Sequence, residues 1–318
     1  MDALWALLFA TAGLIAITYW RLPPEELYNV GEEGATAGLG RALVFLNYPV
    51  SLLAISIAWL AAGRLGTRHS LWVAGVATLL CGVTALPGVV DQHDLDAKAV
   101  NLLPAVGVAI ALVLSIRAPW ERVGRLPLDP LRLLIGAVVW LAAVAWIAAV
   151  AGAFFPGDVL LGEEIRRGGD GRLAPAVHLG DHEGLDAALL VTAALVLTRY
   201  RPPLAVGFLL GLTFVYGLAV EWRDFWFEQF VKRGWTAWTP PSVLTPRLSF
   251  AWLALILLAA LVALAVRRIE GPPRPVADPP RGGQSPLRGS PTAESTTGAR
   301  SPSRPARDRT RPVRPDRG

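Results

Sequence analysis

Five titratable side chains fall within nine residues in the stretch His178-Leu-Gly-Asp181-His182-Glu183-Gly-Leu-Asp186. On a helix, His178, His182 and Asp186 are spaced i, i+4, i+8 and share one face. Two imidazoles one turn apart can grip a divalent metal such as zinc, and Asp186 supplies a further ligand. A bound metal lowers the pKa of its water, and a carboxylate, Glu183 or Asp181, takes the proton. The same groups suit a proton or ion relay. They also suit a plain helix cap paired with Arg166 or Arg172.

A second cluster, Asp91-Gln-His93-Asp94-Leu-Asp96, lies about eighty residues upstream. Here His93 is a candidate metal ligand, and Asp91 and Asp94 are candidate catalytic carboxylates. The spacing is not that of a calcium loop, which needs oxygen ligands at positions 1, 3 and 5. The His178–His182 segment, His-x-x-Asp-His, resembles the inverzincin zinc motif His-x-x-Glu-His, with Asp in place of Glu. That resemblance covers five residues, and the shorter Asp sets a general base at a different reach.

The third segment runs from Glu221-Trp222-Arg223-Asp224-Phe225-Trp226-Phe227 to Trp238. Trp222, Phe225, Trp226 and Phe230 share one helical face, as in an amphipathic helix lying at a membrane interface. Such a face is an anchor belt, or a lateral wall for a lipid-like substrate. Asn47-Tyr48-Pro49 predicts a kink in a helix. Cys81, the single cysteine, sits in an apolar run and reads as a small packed residue.

The elements that must position these residues are helices in lipid. Of 318 residues, 53% are hydrophobic and only 17% charged, below the roughly 25% charged of soluble domains. Uncharged runs approach the ~20 residues that a ~30 Å hydrocarbon core requires. They are too continuous for barrel strands. The predicted fold is an all-α polytopic membrane bundle of about eight transmembrane helices, near 2–20, 41–62, 71–90, 98–116, 132–155, 180–199, 203–220 and 247–266. The sixth run holds only twelve uncharged residues, Ala187 to Thr198. Completing it draws His182, Glu183 and Asp186 to the headgroup boundary or below. Ionisable groups at that depth are retained facing a cavity, a partner or a pathway.

Loop charge sets the orientation. Arg64 and Arg68, then Arg117, Arg122, Arg125 and Arg132, then Arg199 and Arg201, then Arg267 and Arg268 fall on one side of an eight-span chain. The alternate loops are acidic. This predicts N-in/C-in, with the His/Asp/Glu clusters outside. The expected domains are a membrane domain over 1–268 and a disordered Pro/Arg-rich cytoplasmic tail over 269–318. Abundant Arg with almost no Lys points to a GC-rich bacterial genome, hence a bacterial plasma membrane.

No phosphate loop, Gly-x-Ser-x-Gly elbow, dinucleotide fingerprint or Cys-x-x-Cys pair is present. The net charge of +5 lies largely in the tail, with no basic-aromatic platform for nucleic acid. The expected partners are the lipid bilayer and a lipid or lipid-linked substrate, with no nucleic acid. Three functions stay open: a metal-dependent membrane enzyme acting on such a lipid, an ion- or proton-coupled transporter, and a non-catalytic membrane scaffold.

Overall fold

An apolar run that meets no water must pair its own N–H and C=O groups, and a helix does so within one segment. The structure, a computed structural model, describes residues 1–21, 42, 49–86, 89, 99–121, 123–144, 146–147, 164–167, 173–176, 183–231, 233–243 and 248–271. Among them are eight α-helices: α1 (Asp2–Arg21), α2 (Pro49–Leu65), α3 (Arg68–Gly82), α4 (Leu102–Arg117), α5 (Asp129–Ala142), α6 (Glu183–Thr198), α7 (Leu204–Trp226) and α8 (Phe250–Glu270). Each lies on one of the eight apolar runs. Three helical segments are long and apolar enough to cross a membrane: Ala99–Arg117, Leu204–Val231 and Phe250–Glu270. Other apolar helices, including α2 and α6, are shorter.

Two local features differ from the sequence expectation. The seventh run does not stop near residue 220: α7 continues to Trp226 and a π-helical turn carries it through Phe227–Val231. Its acids do not end the helix because they face protein. Helix α2 is described from Pro49 onward, and the expected kink around Asn47-Tyr48-Pro49 lies outside the described residues. The loop after the fifth run contains an antiparallel hairpin, β1 (Glu164–Arg167) with β2 (Leu173–Ala176), in register Glu164 to Ala176. Residues 272–318, the expected tail, lie outside the described residues.

Packing falls into two groups, α2–α3–α4 and α6–α7–α8, with α2 also contacting α6 and α7. Small residues set the closest approaches, as expected where lipid removes the hydrophobic drive between helices. A Cβ on Gly211 of α7 would sit 2.6 Å from the Ala259 carbonyl oxygen of α8. One on Gly217 would sit 3.0 Å from the Ala187 oxygen of α6. One on Gly107 of α4 would meet Cys81 Sγ at 2.6 Å, so Cys81 is the buried packing residue expected. Indole N–H groups bridge helices: Trp5 donates to Ser115 Oγ (2.8 Å), Trp59 to Thr78 Oγ1 (2.9 Å) and Trp140 to Thr192 Oγ1 (2.8 Å).

The arginine-bearing segments meet at one end of the bundle. Arg64 donates to the Pro119 carbonyl (3.0 Å) and stacks on Trp120 and Tyr200. Arg199 reaches Asp129 and the Gly124 carbonyl. Arg132 makes a buried two-pronged pair with Glu270, at 2.6 and 2.9 Å. The Trp5–Ser115 bond brings the N-terminal part of α1 to the last turn of α4, at this same end. The four basic segments and the start of the chain therefore share one face of the bundle.

Outer surfaces are strongly apolar. Trp72, Leu79, Leu133 and Leu141 each expose more than 70% of their surface, and only 17% of the apolar window of α8 is buried. Soluble monomers rarely show contiguous apolar patches beyond a few hundred Å². These faces point to contact with a lipid bilayer.

Candidate carboxylate site at the acidic end

The two sequence clusters are only partly within view. His178, Asp181, His182, Asp91, His93 and Asp94 lie outside the described residues. Glu183 is the first residue of α6, and Asp186 lies in its first turn, half-buried and engaged in an interaction. Gly184, between them, packs so closely that a Cβ would overlap the Trp146 ring. The close helix approach that a glycine here permits is thus present. No three His, Cys, Asp or Glu side chains converge as a metal site among the described residues.

A different set of acids comes together on α7. Glu221, Asp224 and Glu228 are spaced i, i+3, i+7 and so lie on one helical face. All three are buried, at 4–6% exposure, with Gln229 beside them. The opposite face carries the aromatics. Trp222 and Phe227 are exposed, Trp222 packs on Trp226 at 5.2 Å, and Trp226 stacks on Phe230 at 4.6 Å. Trp238 closes against Trp226 both edge-on and by its carbonyl, which accepts the Trp226 indole N–H at 2.9 Å. The expected aromatic face is therefore present, on a direct continuation of the seventh helix. Acids inside and tryptophans outside invert the pattern of a water-soluble helix.

The register of α6 on α7 joins this stripe to Asp186. Gly217 sits opposite Ala187 and Val191. In an antiparallel pair, one turn back along α6 matches one turn forward along α7. Asp186 therefore lies level with Glu221. The acid that the sequence singles out and the acids it does not are at the same height on neighbouring helices.

Electrostatically the three acids are unequal. Asp224 has Arg223 at 3.7 Å, and Glu228 also has an interaction. Glu221 differs: both of its carboxylate oxygens are buried and neither accepts a hydrogen bond. Leaving a buried charged group unpaired costs several kcal/mol. Glu221 is seventeen residues into a helix that begins at the basic end, roughly 26 Å along its axis at 1.5 Å per residue. The sequence signal that could have found it is the i, i+3, i+7 spacing of 221, 224 and 228. No family model, no curated protein and no solved structure matches the chain.

Proposed function

We propose that the protein is a multipass membrane protein with eight spans, N-in and C-in, of a bacterial plasma membrane, and that it works as an ion- or proton-coupled carrier. The observation that carries this reading is Glu221: a carboxylate on a membrane-length helix, buried, with no donor facing it. A cation arriving there removes the cost of the unpaired charge, and its departure restores it. Ionisable groups inside membrane segments mark ion and proton pathways for this reason. Asp224, Glu228 and Asp186 are neighbouring stations for the same cation. The shared location of the arginine segments supports the N-in/C-in orientation.

The metal-dependent enzyme is the second reading, favoured by one observation: Asp186 lies level with the α7 acids. Zinc would then be held by His178, His182, Asp186 and His93. Glu183, Asp181, Asp91 and Asp94 would serve as acid or base, and the Trp222–Trp238 wall would face a lipid-linked substrate.

Proteoliposomes separate the readings. Wild-type protein is expected to dissipate an imposed proton or monovalent-cation gradient. Glu221→Gln is expected to abolish that flux at a thermal midpoint no lower than that of the wild type. Equal flux in wild type and Glu221→Gln would overturn the carrier. Stoichiometric zinc that disappears in His178→Ala/His182→Ala, with no flux, would establish the enzyme reading instead. Neither signal would leave the scaffold.

A further inference from the structure

At the basic end, α5, α6, α7 and α8 enclose a cavity of about 240 Å³. Its walls are almost wholly apolar, including Ile135, Leu195, Phe214 and Val262. Its polar groups gather at the chain ends: Arg132, Thr198, Arg201, Arg267 and Glu270. Glu270 is already consumed by Arg132. That leaves Arg201 and Arg267 as uncompensated positive charge on the lining.

Arg201 is held there at a cost. It is the only described non-glycine residue with positive φ, 50°, a strained conformation that persists where surroundings fix it. It also precedes Pro202, which further narrows its backbone choices. Its Nε is buried and has no hydrogen-bond partner. A half-exposed guanidinium with a buried, unpaired Nε–H beside an apolar slot is complementary to one kind of molecule, an anionic head with a hydrocarbon chain. The volume lies below the ~300–1,000 Å³ that encloses a whole small ligand. It takes one chain and leaves the head at the mouth.

We propose that this cavity binds one anionic glycerophospholipid of the inner leaflet. One acyl chain lies against Leu195, Phe214 and Val262, and the phosphate meets Arg201 and Arg267. Basic pockets between helices on the cytoplasmic side bind anionic lipid heads by the same physics. The inference rests on the membrane reading and is independent of Glu221.

The test is thermal stability and native mass spectrometry of the purified full chain in neutral detergent. Phosphatidylglycerol, phosphatidylcholine and inorganic phosphate are titrated separately. One tightly held phosphatidylglycerol and a saturable rise in midpoint are expected, absent with phosphatidylcholine or phosphate. Arg201→Gln should weaken phosphatidylglycerol binding by roughly fivefold or more, the scale of one arginine near a lipid surface. Arg268→Gln, an exposed arginine off the cavity lining, should leave it unchanged. Gly207→Leu should block the chain. Gly207 lines the slot, and a Cβ there meets nothing nearer than Pro202 at 3.8 Å, so the variant should fold. Equal loss from Arg268→Gln, an equal shift with inorganic phosphate, or full binding in Gly207→Leu would each overturn the site. Lost lipid binding with intact Glu221-dependent flux, or the reverse, separates this inference from the carrier.

Discussion

Two buried charge arrangements sit at opposite ends of the bundle, and they differ in whether the charge meets a partner. Arg132 and Glu270 hold each other by two hydrogen bonds, and Thr198 adds a third contact to the guanidinium at 3.2 Å. Glu270 is 1% exposed and Arg132 9%. Removing Arg132 strands Glu270, at a typical cost of about 3–5 kcal/mol, whereas removing Glu270 leaves Arg132 its 3.2 Å contact with Asp129. Arg132→Gln should therefore lower the thermal midpoint in detergent markedly. Arg132→Met with Glu270→Met should recover most of the loss, because a well-packed apolar pair replaces a buried ion pair at little cost. A double variant as unstable as the single one would mean the latch is not what Arg132 contributes. Glu221 has no such partner, and that asymmetry is why the ion pair is read as structure and the lone carboxylate as a site.

Individual elements show what was legible in the sequence. Length and apolarity located all eight helices, because a run without charge has few other stable states in lipid. The aromatic stripe of Trp222, Trp226 and Phe230 was legible from its spacing. The end of the seventh helix was not. Glu221, Asp224 and Glu228 read as the point where lipid ends, because sequence shows charge but not which way it faces. The β1–β2 hairpin was also hidden, since Glu-Ile-Arg-Arg has no clear alternation. Helix register was invisible as well, and it is set by single glycines. Gly211 and Gly217 each admit a neighbouring backbone within about a side-chain radius. Gly211→Leu and Gly217→Leu should each cost roughly 1–3 kcal/mol by overpacking, measured as a fall in melting temperature. Gly75→Leu, where a Cβ meets nothing within 4 Å, should change little. Three indistinguishable melting curves would show that these approaches are not tight.

For the whole molecule, the basic segments, spread along the sequence, contact one another through Arg64, Arg199 and Arg132. The proposed N-in/C-in orientation is easy to test in a chain with one cysteine. With Cys81→Ala as background, Gly124→Cys is expected to resist a membrane-impermeant thiol reagent in intact cells. Ala237→Cys is expected to react. Labelling of both from outside would break the proposed orientation.

The most direct measurement is infrared difference spectroscopy of purified protein across a pH step and across a cation step. A carboxyl that gains and loses a cation in an apolar setting gives its own band. The account predicts such a band in wild type, unchanged in Asp2→Asn and missing in Glu221→Gln. Spectra of wild type and Glu221→Gln that superimpose would contradict it.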